Sequence, residues 1–547
     1  MTLLALLVYL ALFARTGHLL GKSEAAWVER RFEQSDALLR KAAFWRVRGS
    51  RVDEARGIVA LSLGRLEDAG RRLAAARGDF PFHTAAFGEE RVLTFFQREG
   101  RYEAAEIYAA HRLRIRPSPL LHYHAGVARL ALNHLDAATE ELAAAAASSD
   151  RKLAARARAL LDVVASRKAT GRADYIFDSQ GVPLAGIDAR SGARLAPIPE
   201  VMGLLEGPFA PVIDAKETSG RIDLTLDLAI QRAAGEALGD QRGALIAMDV
   251  QTGALLAVVS RPEHPPDGIP VALTKAYEPG SIVKMLTLAG ALRSGIDVAA
   301  QFPMQCPGWI EIDDLAFRDW TSHGMLEDIG EAMAVSCNIA FGRIGTLLGE
   351  GPLESELMRW GFGIGESASF RRDGDLAYRL GRLLPEDEAH PNYALARRAE
   401  GLDSIDITPI HAAMLAAGLA RAGSLPSPYL VARRTNVLGE TYEEHSSPLR
   451  GEALSPEQAA VLRVGMVLSV TDRRGTGRRA AVDGLSLAIK TGTSGKSPRL
   501  DAMVIGYAPA DSPRIAWALV AEGAGKAELK GARITHEFLS RIASRLN

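Results

Sequence analysis

The chain has 547 residues, 47% of them hydrophobic and 24% charged, a globular balance that excludes a disordered, collagen-like or multi-span membrane protein. Its 65 basic and 66 acidic residues leave a net charge of −1, so no electrostatic footprint for nucleic acid is present. Two cysteines, Cys306 and Cys337, make neither a disulfide framework nor a four-cysteine zinc site. Only 11 of the 65 basic residues are lysine, so a lysine inside a motif asks for a chemical reason.

The N-terminus is apolar from Leu3 to Ala14, short for a span of ~20 residues. Three readings compete for residues 1–20: a short membrane anchor, a cleaved signal and a plain helix. Residues 24–170 are rich in Ala, Leu, Arg and Glu, and only three of the chain's 26 prolines precede residue 171. An internal repeat runs through them. Gly64-Arg65-Leu66-Glu67-Asp68-Ala69 is echoed 36 residues later by Gly100-Arg101-Tyr102-Glu103-Ala104-Ala105, and 33 residues after that by Asn133-His134-Leu135-Asp136-Ala137-Ala138. These offsets bracket the ~34-residue tetratricopeptide period, and a turn residue sits between two helix-length segments in each copy. The region is expected to form three or four stacked helical hairpins whose concave face suits a protein partner; an ordinary Ala-rich bundle is the alternative. His122, His124 and His134 cluster here without the cysteines or spaced carboxylates of a metal site, and no metal or cofactor is expected.

Residues 171–222 are richer in Gly, Pro and Asp and are expected to be a linker with short strands. A helix is predicted to end at Leu238. The β-prone runs 244–250 and 254–260, joined by Gln251-Thr252-Gly253, read as a hairpin. Further strands are predicted at 487–490, 502–507 and 514–520, and an amphipathic helix at 535–546. Strands at both ends of a helical middle predict an α+β domain over 223–547 whose sheet pairs the early hairpin with the late strands.

Three motifs in this domain carry chemistry. Ser281 and Lys284 stand at the start of an apolar helix, three residues apart and so on one face. A serine hydroxyl needs a base, and lysine serves when burial and a neighbouring positive charge lower its pKa, which arginine does not do. Ser336-Cys337-Asn338 follows a helical run, its hydroxyl placed to relay a proton and its amide to steady the lysine. Lys490-Thr491-Gly492-Thr493 ends an apolar strand. There Lys490 supplies positive charge that depresses the Lys284 pKa, the threonines bind a carboxylate, Gly492 permits close approach, and the backbone N–H groups of Thr493 and Ser281 form an oxyanion hole.

Together the three motifs, in this order, resemble the S-x-x-K, S-x-N and K-T-G set of the penicillin-recognising serine enzymes. Residues 224–231, Glu278-Pro279-Gly280, Ser322-His323-Gly324, Gly401 with Thr408-Pro409, and Gly475-Thr476-Gly477 add to the likeness to penicillin-binding proteins. The resemblance implies a peptidoglycan D,D-transpeptidase in the bacterial envelope, anchored to the inner membrane with its catalytic domain in the periplasm. Ser281 would attack stem peptides or β-lactams. A β-lactam hydrolase or D,D-carboxypeptidase is the alternative, and a scaffold acting through its helical repeat with a dead catalytic domain is another. No E-x-x-L-N stretch lies between Ser336 and Lys490 to supply a deacylating glutamate. The helical array stands where such enzymes carry a β-rich pedestal. Pairing of Cys306 with Cys337 stays open, and Trp309 and Trp320, which flank the approach to the second motif, read as core residues by default with lining of the substrate groove as the alternative.

Overall fold

The structure is a computed structural model that describes residues 3–44, 49–76, 87–188, 195–205, 220–262, 270–364, 370–373, 376–385, 389–436, 438–445, 449–450 and 454–546. Its first third is helical: α1 (Leu3–Val28), α2 (Phe32–Ala43), α3 (Gly49–Ser62), α4 (Leu66–Ala75), α5 (Glu89–Arg98), α6 (Tyr102–Ile115), α7 (Pro119–Ala131), α8 (Leu135–Ala146) and α9 (Arg151–Thr170). The repeated turn residues are the hinges of successive hairpins. Gly64, Gly100 and Asn133 take φ values of 74°, 69° and 60°, a left-handed conformation that Gly adopts freely and Asn tolerates. Arg30 takes the same conformation between α1 and α2. Small residues let paired helices approach. A Cβ added at Gly57 or Gly126 would stand 2.7 or 2.6 Å from Leu73 or Leu142, the matching leucine of the next helix. α1 extends past the apolar run, and its second half belongs to the array: Trp27 is buried and its indole N–H donates to Ser62 Oγ at 2.8 Å.

Residues 171–222 build more than a connection. Strands β1 (Arg172–Phe177), β2 (Pro183–Asp188) and β3 (Arg221–Leu224) join β7 (Val431–Thr435) and β8 (Thr441–Glu444) in one five-stranded sheet, ordered β8-β7-β3-β1-β2. Tyr175, Ile176, Leu184, Val201 and Leu205 lie in the same core as the helix that carries the first motif.

The second five-stranded sheet, ordered β9-β10-β11-β4-β5, is antiparallel and pairs the early hairpin β4 (Gly243–Asp249) and β5 (Leu255–Arg261) with the late strands β9 (Ala488–Lys496), β10 (Arg499–Ala508) and β11 (Ile515–Ala521). On one face lie α10 (Leu228–Leu238) and the C-terminal α16 (Ala532–Ile542), whose Ile534, Phe538 and Leu539 pack on Leu245, Ile489 and Trp517. On the other lie α11 (Lys284–Arg293), α12 (Ile329–Ala334), α13 (Asn338–Leu348), α14 (Pro409–Ala420) and α15 (Pro456–Thr471). The chain is α+β, as expected. β9 continues six residues past Lys490, so the third motif lies within an edge strand rather than at its end. C-terminally, the helix begins at Ala532 after a π-helical turn at Ala527–Gly531.

Candidate active site

The three motifs converge where α11, the α12–α13 turn and the edge strand β9 meet. Ser281 sits in a 3₁₀ turn, Gly280–Ile282, one residue short of α11, and Lys284 opens the helix itself. The turn lies against β9 backbone to backbone. A Cβ on Gly492 would stand 2.5 Å from Pro279 O, and one on Gly280, at φ 57°, would stand 2.7 Å from Thr493 O. Only glycine fits at either position, and that pairing sets the backbone of Thr493 beside the serine turn.

Lys284 is fully buried, and its ammonium donates to Ser336 O at 2.7 Å and to Asn338 Oδ1 at 2.6 Å, with Ser336 Oγ at 3.5 Å. Lys490, also fully buried, donates to Ser336 Oγ at 2.7 Å and to Thr491 O at 2.9 Å. Ser336 thus lies between the two lysines. It has φ 59°, a strained conformation for a non-glycine residue, held by the Lys284 bond to its carbonyl. Among the described residues Ser281 Oγ has no hydrogen-bond partner. When Lys284 is a neutral amine, its two N–H bonds satisfy Ser336 O and Asn338 Oδ1, and its lone pair remains for a serine proton.

Burial is the main force on both lysines. It lowers the Lys284 pKa, opposed by the nearby carboxylates of Glu400 and Asp319. It lowers that of Lys490 well below the usual lysine range, with the positive charge of Lys284 adding to the effect. Desolvation therefore favours an unprotonated Lys284, whereas the sequence pointed to the charge of Lys490.

The third motif presents its hydroxyls in an ordered way. Thr491 Oγ1 donates to Thr476 Oγ1 at 2.8 Å. Thr493 Oγ1 accepts from the backbone N–H of Ala527 at 3.1 Å, which leaves its own hydrogen free for an anionic ligand. Across the cleft, Lys526 Nζ stands 4.9 Å from the centre of the Trp320 ring, whose N–H donates to Val335 O at 3.3 Å. Trp309 and Trp320 are 52% and 45% exposed, so neither is the core residue the sequence suggested. The histidines of the array are paired apart: His122 with Glu141, His124 with Gln97 and His134 with Glu106.

Two acids near Lys284 had no sequence motif. Asp319 accepts from the backbone N–H of Asn338 at 2.9 Å and so fixes the start of α13. Glu400 is buried and pairs with Arg397 at 2.6 Å; desolvation pushes its pKa up to about 7. The one signal for Glu400 is its neighbour Gly401, whose carbonyl accepts from Gly280 N–H at 2.8 Å.

Comparison with known proteins agrees with this architecture. Peptidoglycan D,D-transpeptidase PbpA of Mycolicibacterium smegmatis is 27% identical over 349 residues, 56% of this chain and 68% of that protein. Stage V sporulation protein D of Bacillus subtilis is 28% identical over 293 residues, 49% of this chain but only 43% of that protein. Among solved structures, the D,D-transpeptidase domain of a peptidoglycan glycosyltransferase from Eggerthella lenta superposes with a TM-score of 0.60 at 26% identity, over 69% of this chain and 99% of that one. The model of the penicillin binding protein transpeptidase domain matches residues 243–543, over half of the chain and all three motifs, so the chain belongs to the penicillin-binding protein transpeptidase family.

Proposed function

We propose that this chain is a peptidoglycan D,D-transpeptidase acting through an acyl-enzyme on Ser281. The observation that carries the reading is the buried network Lys284–Ser336–Lys490, with Asn338 holding the first lysine beside the serine turn. Neutral Lys284 takes the Ser281 proton as Oγ attacks the penultimate D-Ala carbonyl of a stem peptide. The N–H groups of Ser281 and Thr493 stabilise the resulting oxyanion. As the C–N bond breaks, the leaving amine of D-Ala takes a proton from Ser336, which regains one from Lys284. A neighbouring stem's amine then attacks the ester, gives its proton to Lys284, and Ser281 leaves with a proton restored. Thr491 and Thr493 bind the terminal carboxylate. A β-lactam carries an equivalent carboxylate and strained amide, and acylates the same serine.

Residues 171–547 form the catalytic unit in this reading, because β1 and β2 share its first sheet, and residues 24–170 form a tetratricopeptide-like array for a protein partner. In this reading the first turns of α1 lie against the inner membrane, with the catalytic unit in the periplasm; the exposed Leu7, Val8, Tyr9, Leu10 and Phe13 support it. No helix among the described residues is long and apolar enough to cross a membrane.

Ser281→Ala tests the assignment. Covalent labelling by a fluorescent penicillin is expected to vanish while the thermal midpoint stays within a few degrees, since one small hydroxyl is removed. Normal labelling of that variant would overturn it.

A further inference from the structure

One buried acid beside the first motif has no place in the acyl-transfer steps above. Glu400 stands in the turn between the helix Pro391–Ala399 and the short strand β6 (Ile405–Asp406), and is 1% exposed. The residues on either side of it are tied to the elements that carry Ser281 and Lys284. Ala399 O accepts from Thr287 Oγ1 at 2.7 Å, and Gly401 O accepts from Gly280 N–H at 2.8 Å. A Cβ on Gly401, at φ 90°, would meet Gly280 O and stand 3.1 Å from Val283 Cβ, so the two turns touch at the backbone. Glu400 is thereby fixed beside Lys284. Asp319, Cys306, Cys337 and the ammonium of Lys490 also face Lys284, and among these groups Glu400 exerts the largest pull toward the charged amine. Glu400 itself is faced by Arg397, Lys284 and Asp319.

The placement is costly twice over. The carboxylate is desolvated, and it caps the C-terminal end of a helix, where the peptide dipoles disfavour negative charge. A structural ion pair with Arg397, Nη1 to Oε1 at 2.6 Å, is the competing account. Arg397 does not need that partner, because its Nε and Nη2 already donate to the two oxygens of Asp403 at 2.7 and 3.2 Å. We infer that Glu400 is a positioning residue of acyl transfer, its carboxylate serving as the buried counter-charge for the ammonium that forms when Lys284 takes the Ser281 proton. The inference rests on Lys284 being the base, as proposed above. In that step the Ser281 O–H bond breaks, an N–H bond forms at Lys284 and Oγ bonds to the acyl carbon, while Glu400 exchanges no proton with either. A neutral amine becomes a cation in surroundings that penalise it, and ionised Glu400 offsets that cost only as the charge develops. Arg397 favours the ionised carboxylate against its burial. The same charge makes Lys284 a stronger base and keeps it protonated to higher pH.

These two effects separate in a pH profile. The test is the second-order rate of Ser281 acylation by a fluorescent penicillin, measured across pH on the full-length protein. Glu400→Gln removes the charge and keeps the shape. Its acidic limb is expected to move to lower pH by about 0.5–1 unit, because Lys284 sheds its proton more readily without a neighbouring carboxylate. The shift is at the low end for one charge because Glu400 itself titrates at about 7. On the high-pH plateau the rate is expected to fall severalfold, because a weaker base takes the serine proton less well. Glu400→Met, neutral and of similar volume, is expected to move the limb equally, and Glu400→Asp to return it toward the wild-type position. A merely structural role would lower the plateau and leave the limb in place. That outcome, or a limb displaced as far by Asp as by Gln, would overturn this inference alone. Absence of labelling in the wild-type protein would overturn the acyl-enzyme reading and this inference with it.

Discussion

Lys284 is held by acceptors on two sides and by low-dielectric surroundings, and its role follows from what that does to its proton. Burial lowers its pKa from the usual lysine value, so the neutral, basic form gains population as pH rises through that lowered value, and acylation of Ser281 is expected to rise with it. Lys284→Arg keeps a cation but removes the titratable base. Acylation by penicillin is expected to slow by about 100-fold or more, the range of lost general-base catalysis, and to lose this pH dependence. A near wild-type rate would leave Lys284 as an electrostatic group only. Glu400 gives a second pH signature of opposite sense. Its folded pKa of about 7 stands above the usual glutamate value of 4.5, so the folded state binds the proton more tightly than the unfolded chain. Its contribution to stability is fully present below the unfolded value and is lost as pH rises toward 7. Compared at each pH, Glu400→Gln is expected to gain on the wild type across that window by up to about 3 kcal/mol, readable as a growing gap in thermal midpoint. A constant gap would show that Glu400 does not titrate there.

The meeting of the serine turn with β9 is set by glycine, and the two elements have no slack between them. Gly492→Ala would press a methyl group on Pro279 O, a backbone atom that has nowhere to retreat without moving Ser281. The expected result is a loss of about 1–3 kcal/mol in stability, as for other overpacked sites, together with slower acylation because the oxyanion donors part. Unchanged acylation would mean that the strand shifts without carrying Thr493. Elements of this kind were legible where local chemistry marks them. The hairpin β4–β5 shows two continuous apolar runs around a turn, and the array's hinges repeat a Gly or Asn at one place. The three motifs keep their order because each sits on its own short element. Asp319 and Glu400 were not legible, because a buried carboxylate has no periodic signature and only the fold carries residue 400 to residue 284. The first sheet was hidden for a similar reason: β3 finds its neighbour β7 about 200 residues later, as at Ile222 opposite Arg434, and no short-range pattern announces such a pairing. Trp320 was misread because an aromatic side chain defaults to core, whereas here it covers the outside of the second motif and meets Lys526 across the cleft.

At the scale of the whole molecule the question is what joins the helical array to the catalytic unit. The two have separate cores. The array's second core, built from α6 to α9, receives a side chain from the far side: Leu438, in the turn between β7 and β8, packs against a group that includes Tyr123, Leu130 and Leu142. β1 follows α9 directly, so the first sheet is the platform on which the array rests. This places the natural cut before β1. A chain of residues 171–547 keeps β1 and β2 on β3 and all of the core containing Tyr175, Leu184 and Leu205, and is expected to fold and to be labelled by penicillin. A chain of residues 222–547 strips β3 of its neighbour β1 and exposes that core, and is expected to aggregate or to melt well below the longer one. Leu438→Asp is a finer probe, because it places a charge in the contact while leaving every catalytic residue in place. It is expected to raise the susceptibility of residues 171–172 to limited proteolysis without changing the acylation rate. In cells lacking the native protein, both the 171–547 chain and Leu438→Asp are expected to label with penicillin. Only the former is expected to fail in supporting growth of the wall, because it alone lacks both α1 and the surface that would recruit a partner; restoring residues 1–23 ahead of residue 171 separates the two losses. Full complementation by the 171–547 chain would remove the recruitment role and leave the array without a function in wall synthesis. Loss of labelling in that chain would make the array a structural support that the catalytic unit needs in order to fold.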